Sequence, residues 1–319
     1  MITLQKVLGM KIIHGIHPLN PSKKLILTIG MFDGVHRGHQ SIIQQLNRYA
    51  EETGGHSALL SFTPHPRQVL QPDGELKLLS TLEEKLDLLC QYHLDYAIIH
   101  PFTVEFSRLS AVEFVRDYLV NHLQIHTLLV GYDHHFGRNR MGDFQQLEEL
   151  ADLYNFQALQ LSAVLENDLP ISSTKIRNAL LTSDIDYVTE ALGHFYPITG
   201  KVIHGYKIGR KLGFPTINMA FSKDKLLPAD GVYGVRVELQ NQLFFGLMNI
   251  GKSPTFDFKE QRVEVYLLDF DGEVYDETVK ADILCFIRGE KKFENAEALK
   301  NQIQRDEAYF HSRLHEWKT

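Results

Sequence analysis

Residues 30–39 read Gly-Met-Phe-Asp-Gly-Val-His-Arg-Gly-His. They stand between the apolar run Leu25, Ile26, Leu27 and Ile29 and a stretch where Ile42, Ile43 and Leu46 recur at helical spacing. A buried strand, a glycine turn and a helix in that order constrain the fold more than any other feature of the chain. The junction aims unpaired backbone N–H groups and the positive end of the helix dipole at one point, where a phosphate binds. Gly30, Gly34 and Gly38 leave room for a ligand to approach the backbone. His36 and His39, three residues apart, face the same way on a first helical turn. Imidazoles there can donate hydrogen bonds to phosphate oxygens as negative charge shifts during transfer. In a chain with 16 histidines such a pair can arise by chance; the glycines at fixed offsets and the position after a strand argue for a phosphate site. Neither a dinucleotide G-x-G-x-x-G nor a P-loop Gly-Lys-Ser/Thr occurs in this segment.

A chain of 319 residues has room for two domains. Hydrophobic content of 44% and charged content of 23% are those of an ordinary globular protein. A net charge of −7, with no long Lys/Arg run, argues against nucleic acid as a partner. Cys90 and Cys285 stand alone, which indicates neither a zinc framework nor a disulfide scaffold. The many histidines form no clustered ligand set with carboxylates or cysteines. Lys6, Lys11 and His14 make the N-terminus a poor signal peptide, and no stretch approaches the ~18 apolar residues of a membrane span. A cytoplasmic protein is expected, with no membrane association and no obligatory protein partner evident.

From about residue 24 to 182 the pattern alternates strand and helix. Strands are predicted at Leu25–Ile29, Ala58–Phe62, Tyr96–Ile99, Thr127–Val130 and Ala158–Leu161. Two of the intervening helices open on predicted capping boxes, Ser80 with Glu83 and Ser110 with Glu113. This is the pattern of an α/β domain with a doubly wound, mostly parallel sheet. Ligands bind such sheets beyond the C-terminal strand ends, where residues 30–39 fall. After Pro197 come short alternating segments: Ile198–Ile203, Val232–Leu239, Leu243–Ile250, Arg262–Phe270 and Val279–Arg288. Strands without intervening helices predict a mostly antiparallel β-barrel. Asn295 is placed to cap a C-terminal helix running to about Trp317. The domains are expected to be 1–183 and 184–319.

Further polar clusters lie at element boundaries. Ser172, Ser173 and Thr174 offer hydroxyls at a helix start, followed by Lys175 and Arg177, a grip suited to polyphosphate. The bland alternative is a capped helix with a solvated basic face. Gly131 and Asp133 follow a strand, and Asp133 is a candidate for a ribose hydroxyl or base amine. Phe62-Thr-Pro-His-Pro66 makes a rigid loop suited to walling a pocket. In the second half, Gly200, Gly205, Gly209 and Gly213 interleave with Lys207, Arg210 and Lys211, a basic loop fit to fold over a polyphosphate. Thr216 and Asn218 share one face of a strand and offer neutral oxygens to a Mg²⁺ held mainly by ATP and water. Glu264, an acid within an apolar strand, can take a proton from an attacking hydroxyl; a charge on a solvent-facing strand is the equal alternative. Asn249–Thr255 reads as a turn or loop.

These residues resemble the bifunctional prokaryotic FAD synthetase family, in which FMN adenylyltransferase precedes riboflavin kinase. The resemblance covers nearly the whole chain. It rests on Gly30–His39, Phe62–Pro66, Gly131–Asp143 and Ile171–Arg177, then on Gly209–Asn218, Pro228–Tyr233, Asn249–Phe256 and Val263–Phe270. It implies that Glu264 deprotonates riboflavin for attack on the γ-phosphate of ATP, with Mg²⁺ at Thr216 and Asn218. It further implies that His36 and His39 stabilise attack of FMN on the α-phosphate of a second ATP. FMN and FAD are then the products, and riboflavin, FMN and ATP the partners. Nucleotide is expected at Gly30, Phe32, Asp33, Gly34, Gly131, Asp133, Ser172, Ser173, Thr174, Lys175 and Arg177, and in the second half at Gly205, Lys207, Gly209, Arg210 and Gly213. Flavin is expected at Phe62, Pro64, His65 and Arg288. Met31, His134-His135 and His194 depart from the family pattern of Asn, Phe-Arg and Arg. Two other readings stand beside this one. One has a single active half fused to a non-catalytic flavin-binding module; the other is a nucleotidylyltransferase for a different substrate.

Overall fold

Leu25–Ile29 is buried at every position, so it forms a central strand covered on both faces. In the computed structural model the described residues are 4–7, 9–19, 21–131, 136–137, 142–161, 165–166, 169–205, 209, 213–240, 242–252, 261–272 and 274–317. The chain divides into two compact units, Met1–Ser172 and Ser173–Thr319.

In the first unit β1 (Leu4–Val7), β2 (Met10–His14), β3 (Leu25–Ile29), β4 (His56–Thr63), β5 (Tyr96–Pro101), β6 (Ile125–Gly131) and β7 (Gln157–Leu161) form one sheet. Its order is β1-β2-β5-β4-β3-β6-β7. All neighbours are parallel except the β1–β2 hairpin, which the sequence reading did not contain. Lys11 and His14 had broken the apolar run there, yet both point away from the core while Met10, Ile12 and Ile13 are buried. One face of the sheet is covered by α1 (Arg37–Glu52) and α3 (Leu82–Cys90), through Leu46, Ala50, Leu88 and Leu89. The other is covered by α5 (Phe144–Tyr154) and by α4 (Ala111–Glu113), which runs on as a π-helical stretch, Phe114–His122. A short α2 (Pro66–Leu70) follows β4. The strand order reverses beside β3, and that is the place in an open α/β sheet where ligands bind.

Ser110 and Glu113 form the predicted capping box of α4. The other box is shifted by one residue: Thr81 caps α3 with Glu84. Both Ser80 and Thr81 precede a glutamate by three residues, so spacing alone could not choose between them. Ser80 is used elsewhere, as shown below.

The second unit begins, after a short ladder of β8 (Leu165–Glu166) with β9 (Leu169–Pro170), at α6 (Ser173–Leu181) and α7 (Ile185–Leu192). The compact-unit division thus precedes α6, whereas the boundary expected at 183/184 lies between the two helices. The barrel is closed and antiparallel. It contains β10 (Tyr196–Ile203), β11 (Thr216–Phe221), β12 (Gly231–Leu239), β13 (Gln242–Lys252), β14 (Gln261–Leu267) and β15 (Thr278–Gly289) in the order β10-β11-β14-β13-β12-β15. Asn295 caps α8 (Ala296–Arg313), which packs Phe310 against Leu247, Leu284 and Cys285. Gly234 permits that approach, since a Cβ there would lie 2.4 Å from the Phe310 ring. Residues Gly246 to Ser253 spell the P-loop pattern G-x-x-x-x-G-K-S, but Gly246–Lys252 is ladder-paired strand rather than a loop opening a helix. Asn249 to Lys252 likewise end β13 and are not the loop expected from sequence; residues 253–260 lie outside the described residues.

Candidate functional sites

At the C-terminal end of β3 the chain adopts backbone that only glycine takes freely. Phe32 and Val35 have φ of +50° and +41°, and Gly34 has +77°. A left-handed conformation costs a non-glycine residue on the order of 1–3 kcal/mol and persists only where its surroundings over-determine it. Those surroundings are visible. Asp33, 5% exposed, accepts hydrogen bonds from the Leu79 and Ser80 amides at 3.1 and 3.0 Å, and the Ser80 hydroxyl accepts from Gly34 N at 3.0 Å. Gln40 Nε2 donates to the Val35 carbonyl at 2.8 Å. Asp33 and Gly34, the residues expected to meet nucleotide, therefore also tie the loop to the segment before α3, through both Asp33 oxygens and Gly34 N.

The turn delivers His36 as the N-cap of α1. His36 Nδ1 accepts from His39 N at 3.4 Å, so the neutral ring carries its proton on Nε2. The two imidazoles stack with centroids 3.6 Å apart and planes 16° apart, and Phe32 closes on His39 at 4.9 Å. Gly38 makes room for His36 itself, because a Cβ would sit 3.2 Å from that ring; Gly30 does the same for Phe32 at 2.9 Å. The glycines thus accommodate the site's own rings, a reason the sequence reading did not contain. Burial, and then the neighbouring His36 and Lys85 charges, hold the His39 pKa well below the usual imidazole value. His39 Nδ1 is buried without a hydrogen-bond partner. No acidic residue stands in the first turn of α1, which keeps the positive helix end open to an anion.

Sequence reasoning missed Lys85. From α3 its Nζ donates to the Met31 carbonyl at 3.2 Å and to Ser61 Oγ at 2.9 Å. The departure at Met31 leaves both bonds intact, since the loop is held through that residue's carbonyl.

Phe62 is the last residue but one of β4 and Gly131 the last of β6, the two strands flanking β3, so Gly30, Phe62 and Gly131 share one edge of the sheet. Phe62 is half-buried against Phe102 and Phe106, at 5.8 and 5.5 Å. Pro64 is exposed after a cis Thr63–Pro64 bond, and His65 caps α2. Asp133, with His134 and His135, lies outside the described residues. Ser173, Thr174, Lys175 and Arg177 form the start of α6, in the second unit; Thr174 is exposed, and the others, like Ser172, are half-buried.

In the barrel a second set converges by strand register alone. Asn218 on β11 and Asn249 on β13 both stand opposite Glu264 on β14, so three polar residues form one row across three strands. Thr216 stands opposite Tyr266 on the same face. That face is the outer one: Val263, Val265 and Leu267 are buried between these positions, and Tyr266 packs with the α8 cluster. Burial raises the Glu264 pKa above the usual carboxylate value, opposed by Arg262. Gly205 and Gly209 abut the row. A Cβ on the first would lie 2.1 Å from the Asn218 amide, and one on the second 3.4 Å from Thr216 Cγ2. Gly213 has φ +88°, whereas Lys207, Arg210 and Lys211 lie outside the described residues. Gly205, Gly209, Thr216, Asn218 and Glu264 are thus brought together. Arg288 is half-buried and held by Asp306 of α8, with Nε 2.9 and 3.1 Å from its oxygens. Asn249 was visible in sequence but read as loop; its register is what places it.

The neutral oxygens of Thr216 and Asn218 beside a carboxylate suit a hard cation that takes its remaining ligands from phosphate and water. Among the described residues no group of three His, Cys, Asp or Glu could hold a metal alone.

The FAD synthetase family model matches residues 19–175, and the riboflavin kinase family model matches residues 192–314. The bifunctional riboflavin kinase/FMN adenylyltransferase of Escherichia coli strain K12 is 37% identical over 301 residues, covering 93% of this chain and 96% of its own. The protein of that name from Listeria monocytogenes is 35% identical over 304 residues, with the same coverage of 93% and 96%. A Streptococcus pneumoniae crystal structure, described as a macrolide-efflux protein, matches with a TM-score of 0.86 at 28% identity. It covers 94% of this chain and 98% of its own. Among the described residues no helix is long and apolar enough to cross a membrane.

Proposed function

The chain belongs to the family of bifunctional riboflavin kinase/FMN adenylyltransferases, and from that premise we propose which residues carry each transfer. The C-terminal half phosphorylates riboflavin with ATP to give FMN. The N-terminal half joins FMN to the adenylyl group of ATP, giving FAD and pyrophosphate. We place the functional boundary at 183/184.

For the kinase, the row Asn218–Glu264–Asn249 is the observation that carries the assignment. Glu264 takes the proton of the ribityl 5′-hydroxyl as its oxygen attacks the γ-phosphorus and ADP leaves. A carboxylate raised in pKa by burial is the stronger base for that step. Thr216 and Asn218 would hold Mg²⁺, which when bound neutralises phosphate charge. Gly205, Lys207, Gly209, Arg210 and Gly213 bind the ATP phosphates, and Arg288, held by Asp306, binds the flavin.

For adenylyl transfer, an FMN phosphate oxygen attacks the α-phosphorus of ATP and pyrophosphate departs. His36 donates from Nε2 as charge gathers on the phosphoryl oxygens, and His39, kept neutral by its surroundings, donates beside it. No covalent intermediate is required, since positioning and charge neutralisation suffice. Gly30, Phe32, Asp33, Gly34, Gly131, Asp133, Ser172, Ser173, Thr174, Lys175 and Arg177 bind nucleotide; Phe62, Pro64 and His65 wall the flavin. Cys90 and Cys285, buried and in no disulfide, suit a reducing cytoplasm, and the net charge of −7 disfavours nucleic acid.

Chromatography of flavins after incubation with riboflavin, ATP and Mg²⁺ tests the reading. FMN should appear first and FAD after it, with neither formed once the metal is chelated. FMN that accumulates without any FAD would remove the adenylyl-transfer role of His36 and His39.

A further inference from the structure

Lys85 is 6% exposed, and among the described residues its ammonium bonds a carbonyl and a hydroxyl rather than a carboxylate. A buried cation without an ion pair is costly, and an apolar side chain of similar size would serve packing better. The position of the cation is therefore informative. It meets the Met31 carbonyl at 3.2 Å, and Ser61 Oγ reaches the same oxygen at 3.2 Å. Met31 is the last residue before the left-handed Phe32, and beyond Phe32 come Gly34, Val35 and His36. Asp33 holds the middle of that turn to Leu79 and Ser80, six and five residues before Lys85 in the chain.

We infer that Lys85 is a positioning residue for adenylyl transfer, its ammonium anchoring the strained turn that presents His36 and His39 and keeping a positive charge beside His39. The inference rests on the assignment of adenylyl transfer to those two histidines. The charged and titratable groups around the ammonium are Asp33 from the turn and His39, with His36 stacked on it, from α1. On α3 itself Glu84 is turned to the Thr81 amide. Burial lowers the Lys85 pKa to about 8, with Asp33 opposing that shift. Deprotonation leaves the lone pair of a neutral amine and one fewer donor facing Met31 and Ser61, and it removes the positive charge that stands beside His39. The proton-bearing form is the one that holds the turn, so the function is present below the pKa and lost above it.

The test measures initial rates in the full chain on both sides of pH 8, for FAD from supplied FMN and, as internal reference, for FMN from riboflavin. FAD formation should decline as pH rises through about 8, and FMN formation should not follow it. Lys85→Met should lower kcat for FAD by ~10²-fold, the scale of a displacement of about 1 Å in a catalytic geometry, with KM for ATP and FMN nearly unchanged. Lys85→Arg, whose charge does not titrate in this range, should recover part of the rate without the alkaline decline. A wild-type profile flat through pH 8 overturns the inference, and it does so whether or not the variants fold. So does a folded Lys85→Met variant with wild-type kcat. His36→Ala with His39→Ala is run in parallel. If that double variant still makes FAD, the site assignment has failed; if it loses FAD synthesis while Lys85→Met keeps it, only the role of Lys85 has.

Discussion

The site after β3 and the site on the barrel reach their geometry by opposite means. The first uses backbone in costly conformations, held by groups from distant sequence: Ser61, Leu79, Ser80 and Lys85 all bond the segment from Met31 to His36. The second uses ordinary ladder pairing, with Asn249, Glu264 and Asn218 side by side because β13, β14 and β11 are in register. A turn of the first kind fails when any buried anchor is lost, since each anchor opposes stored strain. A row of the second kind depends on its strands and little on the neighbours of each residue. The two sites should therefore differ in how far damage spreads.

The largest expected effect separates the two chemistries. His36→Ala with His39→Ala removes two donors; losing one such donor typically costs ~10²–10³-fold in turnover, so little FAD should be detectable. FMN formation should stay near wild type. Glu264→Gln should show the mirror image, stopping FMN production while supplied FMN is still adenylylated. Both variants are assayed with riboflavin and, separately, with FMN. Equal loss of both reactions in a folded chain would mean one shared site, and the contrast drawn above would fall with it.

A smaller effect probes the anchors. Asp33→Asn keeps the shape of a 5% exposed side chain but puts an NH₂ where an oxygen met an N–H. A buried donor left unsatisfied costs about 1–3 kcal/mol, and the loss should appear in chemical denaturation of the first unit. FAD formation should fall with it while the rate of FMN formation holds. If stability drops and FAD synthesis does not, the turn is not what positions the histidines.

How much of this was legible depends on whether the cause was local. Leu25–Ile29 as a strand, the shared face of His36 and His39, the Ser110–Glu113 box and the Asn295 cap all follow from residues within a turn or two of each other. The barrel was legible from its alternation, although β11 entered only as a face shared by Thr216 and Asn218. What was not legible comes from long-range partners. A lysine on a helix reads as solvated, and nothing near Lys85 in sequence announces that the Met31 carbonyl will cover it. Ser80 looked like a cap because the partner that claims it, Gly34, is 46 residues away. Asn249 looked like loop because its row is completed by strands that follow and precede it at a distance.

The smallest expected effect sharpens the contrast from the barrel side. Asn249 is exposed, and among the described residues it takes part through its place opposite Glu264 rather than through a buried hydrogen bond. Truncation of an exposed residue away from caps, cores and strained backbone usually changes stability by no more than ~0.5 kcal/mol. Asn249→Ala should therefore leave the denaturation midpoint of the full chain nearly where it was. Riboflavin phosphorylation should still slow, because opposite residues on paired strands have Cβ atoms ~5 Å apart and the lost amide borders the proposed base. Adenylylation of supplied FMN should be untouched. The decisive comparison is with Asp33→Asn under the same denaturant series. A stability loss for Asn249→Ala as large as for Asp33→Asn would show that the row, too, is held by buried anchors, and the two sites would then differ in architecture but not in fragility.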